Sequence, residues 1–402
     1  MSTTSYKPKE GMAKVWLVLI LGSLTAFGPL SMDMYLPALP EVANDLQTTT
    51  SLVQASLTAT LLGLGLGQLV FGPYSDIHGR RKPLTITLIG YSIASFLSAF
   101  SPNIYVFIGL RFIQGFTGAA GIVIARASAR DMYSGKDLTK FVALLSLVNG
   151  AAPILAPIFG GIVLEFTTWN GVFHVLGLIG ILMLIGVYFG LPETLPEEKR
   201  SESSVLAVLA TFKGLLRDKV FMGVALTQGF IMASMFAYIA GSPFVLQNIY
   251  GVTPFQFSLF FALNGIGIIM SAQLAGKLSR SMAESTILLR AVQVAFIASL
   301  FLLVVIWQQL PLWAMATALF FIVSSVGAVS TTAFSIAMNR QGNAAGSASA
   351  FLGLVPFIGG AIVSPLVGIA GEASAVPMGL IIMTCTTSSL ILYYVTNVGK
   401  TV

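Results

Sequence analysis

The chain has 402 residues, 56% hydrophobic and 9% charged, with 21 Lys and Arg, 15 Asp and Glu and a net charge of +6. A soluble domain carries about 25% charged residues. Too few polar side chains are present to coat a soluble particle of this size, so lipid is the expected solvent. A single cysteine, Cys385, excludes an intrachain disulfide framework and a cysteine metal site. The two histidines, His78 and His174, lie far apart and form no ligand cluster. The basic residues form no nucleic-acid patch, and their placement says more than their sum.

A hydrocarbon core of about 30 Å needs about 20 apolar residues of helix. Such runs fall at 15–37, 51–71, 84–101, 105–128, 141–166, 172–191, 220–246, 255–278, 286–307, 312–337, 345–369 and 375–397. They are too long and too uniformly apolar for the alternating strands of a barrel, and irregular backbone cannot face lipid. The fold class predicted is therefore an all-α integral membrane protein of twelve transmembrane spans. The first run follows Lys7, Lys9 and Lys14 and continues into Ser31-Met-Asp33-Met-Tyr35-Leu-Pro37. Its length reads as span 1 and not as a removed leader.

The charges are segregated along the chain. The even-numbered connections hold His78 to Lys82, Arg130 to Lys140, Lys199 to Lys219, Lys277 to Arg290, and Arg340. The opposite loops 38–50, 246–254, 308–311 and 370–374 contain no Lys or Arg. The positive-inside rule then predicts both termini in the cytoplasm. The polar stretch after span 6 predicts a division into a bundle over 1–192, a cytoplasmic linker over 193–219 and a second bundle over 220–402. The halves resemble each other: Pro153 in span 5 has a counterpart in Pro356 of span 11, and Gly72 to Asp76 one in Gly276 to Arg280. Parallel repeats of this kind mark a class of secondary transporters with the substrate between the halves.

Gly72-Pro-Tyr-Ser-Asp76-Ile-His-Gly79-Arg80-Arg81-Lys82-Pro83 is predicted to form the short loop between spans 2 and 3. Gly79 can take the positive φ a tight turn needs. An ordinary basic loop is the alternative. The loop resembles the signature of the major facilitator superfamily, in two pseudo-symmetric six-helix bundles. The resemblance implies that Asp76 and Arg80 pair with Asp131 and with the start of span 11, and so act in gating. Ile77 stands where that family usually has a basic residue.

Span 4 holds Arg111, Gln114, Gly115 and Gly118 on one helical face. An arginine at depth must face the bundle interior or a cavity, and the glycines admit a close neighbour. Arg111 is either a structural residue paired with backbone carbonyls or, as the resemblance to the family's span-4 motif implies, part of proton coupling. Span 5 holds Asn149-Gly150-Ala-Ala-Pro153-Ile-Leu-Ala-Pro157-Ile-Phe-Gly160-Gly161. Pro153 and Pro157 weaken the helix ladder, which gives a kinked helix or a moving gate. The run resembles the superfamily's antiporter motif, with Ala152 in place of a glycine, and implies export.

Asp33 is the one acid inside span 1. At about 1.5 Å per residue it lies about 27 Å from the inner edge, and Arg111 lies about 9 Å from the outer one. The two are thus expected at similar depth, unless Asp33 is simply solvated at the helix mouth. Ser31 to Pro40, with Arg126-Ala-Ser-Ala-Arg130-Asp131, Leu191-Pro-Glu-Thr194, Tyr238 to Phe244 and Gly346 to Ala350, resemble the bicyclomycin-resistance branch of drug:proton antiporters over nearly the whole chain. That branch usually has Arg where Asn170 stands.

The resemblance implies a bacterial inner-membrane exporter, monomeric, moving small and largely apolar molecules by alternating access. Its partners would be substrate, protons and lipid, with no cofactor and no metal beyond the proton gradient. Asp33 and Arg111 are the expected proton-coupling pair. Tyr35, Gln114, Asn149, Gln228, Met232, Met235, Tyr238 and Asn264 are candidate substrate contacts, although the stripes on spans 7 and 8 also suit helix packing. Met and aromatic surfaces fit adaptable apolar pockets. Export of one metabolite and proton symport are the alternatives. A membrane enzyme is not expected, because no HExxH, GxSxG or acidic metal cluster occurs.

Overall fold

A computed structural model describes residues 12–133, 135–200, 215–340 and 345–396. Every regular element among them is helical. In chain order they are α1 (Met12–Thr25), α2 (Phe27–Asp33), α3 (Leu39–Asp45), α4 (Thr50–His78), α5 (Arg81–Ala99), α6 (Ile104–Met132), α7 (Gly135–Phe166) and α8 (Trp169–Gly190). The second half supplies α9 (Lys219–Phe244), α10 (Pro254–Leu278), α11 (Glu284–Trp307), α12 (Leu312–Arg340), α13 (Ala345–Val367) and α14 (Val376–Val395). Among the described residues eight helices are long and apolar enough to cross a membrane, namely α4, α6, α8, α9, α10, α11, α12 and α14. α1 and the helices after it form a bent pair that serves as a ninth. The remaining expected positions are held by α5 and by α7 and α13, whose apolar parts include Gly150–Phe166 and Phe351–Val367.

Three local differences from the sequence expectation have simple causes. Span 1 is broken at Ala26 and bends by 45°. Pro29 has no N–H to give the Thr25 carbonyl, and its ring crowds that carbonyl. The Thr25 hydroxyl turns back to Gly22 O at 2.7 Å. Next, residues 39–45, expected in a loop, form α3 with a proline in its first turn, where a missing N–H costs nothing. Finally, Gly72 to Asp76 are not loop. They belong to α4, which runs through Pro73 to His78, and only Gly79 and Arg80 make the turn. Gly79 has φ of 84°, which glycine adopts without strain.

The helices group into two compact units. The first comprises 1–35 and 59–205, the second 36–58 and 206–402. Residues 36–58 are therefore grouped with the second half of the chain. In the first unit a core joins Leu17, Leu21 and Leu24 of α1 to Leu84 and Leu88 of α5 and Ile124 of α6. In the second, Val224 and Ile231 of α9 meet Leu288 and Val292 of α11 and Val329 of α12.

Each unit has at least one helix pair packed backbone to backbone. A Cβ on Gly115 of α6 would strike the Thr60 carbonyl of α4, and one on Gly67 of α4 would strike the Phe116 carbonyl. In the second unit a Cβ on Gly327 of α12 would strike the Ile268 carbonyl of α10. Without a hydrophobic drive between helices in lipid, such close approach supplies the packing energy.

Candidate transport site

The buried charges are concentrated in the first unit. Among the described residues Asp33 is the only Asp or Glu in the buried class, at 6% exposure, and Arg111 is fully enclosed. Asp33 is the last residue of α2, where the proline-broken span ends its first helical segment. Its burial excludes the reading of a residue solvated at a helix mouth. Among the described residues it forms no ion pair with Arg111; the ion pairs seen there include Arg80 with Asp76 and Asp131, and Arg200 with Glu197.

Arg111 is instead held by aromatic faces and an amide. Its guanidinium carbon lies 4.8 Å from the Tyr35 ring centre and 5.4 Å from that of Phe173. Both distances suit a cation over a ring. Nη1 donates to Gln114 Oε1, one turn along α6, and Gln114 Nε2 donates to Ser95 Oγ of α5 at 2.7 Å. Nε and Nη2 have no hydrogen-bond partner among the described residues. Beside this chain, Ser31 Oγ and Tyr91 OH are 2.8 Å apart. Tyr35, Gln114 and Arg111 are thus brought together, two residues along the chain from Asp33, while the expected carboxylate–guanidinium pair is not formed.

The turn between α4 and α5 carries a second charged cluster. Arg80 Nη1 lies 2.6 Å from Asp76 Oδ1, and Nε lies 2.8 Å from Asp131 Oδ2. Arg80 Nη1 also donates to Ser75 Oγ at 2.7 Å. Burial works to lower the Arg80 pKa. Hydrogen bonds and charge from Asp131 and Asp76 outweigh it, and the net shift is upward. Glu193, just beyond α8, accepts from the backbone N–H of Arg80 at 2.8 Å and of Arg81 at 3.1 Å. It therefore caps α5 from another part of the chain, satisfying donors that a helix start leaves open. Thr194 Oγ1 donates to Asp131 Oδ2 at 3.2 Å. The expected partner at the start of span 11, 344–347, lies outside the described residues in 344 and in the side chains that follow.

The remaining gating candidates are helical. Gly72 lies within α4, where a Cβ would meet Val123 at 3.4 Å, an ordinary contact. Pro153 and Pro157 lie inside an unbroken α7. The side chain of Asn149 is outside the described residues.

The second unit offers neutral polar groups. Asn264 Nδ2 of α10 donates to Tyr238 OH of α9 at 2.8 Å, and the Tyr238 ring stacks on Phe261 at 5.7 Å. Gln228 is buried and its Oε1 lacks a hydrogen-bond partner among the described residues. Met232 and Met235 pack against the core of the unit.

Residues 21–364 match the family described as Major Facilitator Superfamily. The chain belongs to the major facilitator superfamily. It is 46% identical over 96% of its length to an MFS-type transporter of Bacillus subtilis called YdgK, covering 97% of that protein. It is 32% identical over 94% of its length to a bicyclomycin resistance protein homolog of Haemophilus influenzae, covering 95% of that chain. The bicyclomycin-resistance branch of drug-efflux transporters is thereby supported. Among solved structures, a bacterial homolog of the human lysosomal transporter Spinster aligns with a TM-score of 0.72, over 96% of each chain, at 14% identity. That likeness concerns the fold alone.

Several residues of this major facilitator transporter escaped the sequence reading. Tyr91 and Ser95 sit in α5, whose string of hydroxyl residues looks like ordinary helix lining. Phe173 is one apolar residue among many in α8. Glu193 was visible only as part of a Leu-Pro-Glu-Thr string. No local pattern marks a cap supplied 113 residues away.

Proposed function

We propose that this transporter exports small, largely apolar molecules in exchange for protons, with Asp33 as the proton carrier. The observation that supports this reading is the isolation of Asp33. It is a buried carboxyl group without an ion-pair partner, in a bent segment, close in sequence to the tyrosine that holds Arg111. A carboxyl group whose surroundings alternate between water, apolar contact and a nearby guanidinium binds and releases a proton in step with that alternation. Here Arg111, parked on Tyr35 and Phe173 with two nitrogens open, is the guanidinium that would approach.

In this reading both termini face the cytoplasm, so the α4–α5 turn is inside and the 36–58 segment outside. The chain works as a monomer of two six-helix bundles joined by the 193–219 linker. The Asp76–Arg80–Asp131 cluster latches the inner side, with Gly72, Gly79, Pro153 and Pro157 giving the helices room to bend. Gln114, Asn149, Gln228, Met232, Met235, Tyr238 and Asn264 meet the substrate. No cofactor is used; the proton gradient alone drives transport. The drug-resistance name of the Haemophilus relative favours export of antibiotic-like compounds.

The test is flux in proteoliposomes under an imposed pH gradient, with candidate antibiotics as substrates. The parent protein is expected to move substrate uphill when the gradient is applied. Asp33→Asn is expected to retain only downhill movement, with no response to pH. Uphill, pH-responsive transport by Asp33→Asn would remove Asp33 from the coupling role.

A further inference from the structure

Two guanidinium groups of α6 take no part in the polar chain around Arg111 or in the cluster around Arg80. Arg126 and Arg130 lie one turn apart on one side of the helix, and both are exposed. Neither makes a hydrogen bond or an ion pair among the described residues. Like charges at this spacing repel and weaken a helix. Arg130 sits in the last turn, where the helix dipole favours a cation. That effect fades within one turn and does not account for Arg126, which lies about 9 Å from the end of the helix at Met132.

Arg126 is not on the outward apolar face of α6. The exposed residues Val106 and Ile113 mark that face, and Arg126 lies roughly 140–160° around the helix from them. Gly115, Ala119 and Ile122 share its side, within about 40°. That row meets other helices of the same unit. A Cβ on Gly67 of α4 would strike Ala119, and one on Gly28 of α2 would press on Ile122. Arg126 continues the row towards the helix end, where its side chain is open. Snorkelling along an apolar face is therefore not its explanation.

Nothing described on this side neutralises the charge. Asp131 lies about 140° around the helix from Arg126, and it is bonded to Arg80 at 2.8 Å. Ala119 and Ile122 form an apolar cluster with Leu64. Desolvation by surrounding protein acts on Arg126, and no neighbouring charge or hydrogen bond does. An ionic side chain left unpaired within a membrane-spanning helix is expensive and marks a site of use.

We infer that Arg126, with Arg130 one turn below, binds an oxyanion, a carboxylate or phosphate group carried by a small and otherwise apolar molecule. A guanidinium meets such a group with two parallel N–H bonds. The inference deepens the export reading and rests on it for the side of entry: a molecule collected from the cytoplasm first meets this end of α6. Arg111 does not compete for the anion, because it is fully enclosed and held by Tyr35, Phe173 and Gln114.

The test uses the purified full chain in nanodiscs of phosphatidylcholine, a lipid without net charge. The probes are naphthoate and naphthamide, alike in shape and different by one charge, with binding read by calorimetry at neutral pH. The parent is expected to bind naphthoate severalfold more tightly than naphthamide, and added salt is expected to shrink the preference. Arg126→Gln is expected to erase the preference and leave the naphthamide affinity as it was. Arg126→Lys is expected to keep part of it, since the charge stays and the fork is lost. Arg130→Gln is expected to reduce it by less.

A parent without the preference, or an Arg126→Gln variant that retains it, overturns the inference. If Arg126→Gln does not fold, as read by its elution from a sizing column, Arg126→Lys and Arg130→Gln decide, and an unchanged preference in both overturns it. Phosphatidylglycerol added to the nanodiscs separates the two sources of oxyanion. A naphthoate preference that survives it supports a small-molecule site, whereas its loss assigns the site to lipid headgroups and overturns the role in export. Binding needs no proton gradient, so the two readings fail separately. A preserved preference without gradient-driven flux in the parent would sink the export reading and leave the oxyanion site standing. Normal flux without the preference would do the reverse.

Discussion

The two units are built alike in packing and unlike in charge. Each has a helix pair brought into backbone contact by glycine, Gly115 against Thr60 in the first and Gly327 against Ile268 in the second. Each has a hydroxyl pair linking helices, Ser31 with Tyr91 and Ser299 with Thr386. Yet Asp33, Arg80 and Arg111, all in the first unit, are the buried Asp, Glu, Lys and Arg side chains among the described residues, while the second unit buries amides, hydroxyls and a thiol. A buried charge in a membrane is expensive and is retained where it is used. Under the proposed function the difference becomes a division of labour: the first unit carries the proton-coupling groups, and the second adds only neutral contacts to substrate.

The largest expected effect breaks that division if it is wrong. Arg111→Met is expected to reduce gradient-driven transport at least about tenfold, a change of about 1.4 kcal/mol in the barrier. The thermal midpoint of the purified protein is expected to hold or rise, because a buried cation with open nitrogens is replaced by an apolar chain. Asn264→Leu is the contrasting variant. It removes the hydrogen bond that Asn264 Nδ2 donates to the Tyr238 hydroxyl, a loss of about 0.5–1.5 kcal/mol of stability, and is expected to raise the apparent KM while uphill transport persists. Equal loss of uphill transport in both variants would erase the proposed division.

The next effect tests the likeness of the units. Gly115→Leu and Gly327→Leu each force a side chain into a neighbouring backbone carbonyl. Each is expected to lower stability by about 1–3 kcal/mol, the range for an overpacked site. Thermal aggregation curves in detergent check both. A large drop in one unit and none in the other would show that the glycine pairs are not equivalent supports.

The sequence carried the fold well, because a membrane leaves few choices. Long apolar runs must be helices, and the positions of twelve such runs agree with helices or a bent pair in the structure. The charged turn was legible too, since Asp76 and Arg80 are close in sequence and Gly79 marks the bend. What sequence could not convey was the effect of a proline inside an apolar run. Pro29 breaks span 1 and sets where Asp33 sits, but its consequence depends on one carbonyl a turn earlier. Contacts between distant segments were equally hidden. Arg111 and Asp33 share a depth by residue count, yet the guanidinium rests on Tyr35, because rotation about the helix axis decides partners and depth does not.

A smaller effect is expected at the α4–α5 turn. Arg80→Lys keeps the charge but cannot bond Asp76, Asp131 and Ser75 at once with a single ammonium. Because Asp76 is partly exposed, the loss is expected to be about 1 kcal/mol after solvent screening. It is read as a lower urea or thermal midpoint, and turnover is expected to drop more than substrate affinity. A turnover equal to the parent's would make the cluster a support without a gating role.

The smallest effect separates packing from function most cleanly. Ser31→Ala removes a hydroxyl that lies 2.8 Å from Tyr91 OH in the first unit. Ser299→Ala removes one 2.8 Å from Thr386 Oγ1 in the second. Hydrogen bonds between membrane helices contribute about 0.6 kcal/mol on average, so both variants are expected to lose a similarly small amount of stability. Their transport should differ. Ser31 neighbours the chain of polar groups that runs from Ser95 through Gln114 to Arg111, so its loss is expected to alter the pH response of flux. Ser299 lies in a unit without buried Asp, Glu, Lys or Arg among the described residues, so its loss should leave that response as it is. If the two variants give the same pH profile, the hydroxyl pair in the first unit is packing alone, and the proton's route is confined to Asp33 and the groups around Arg111.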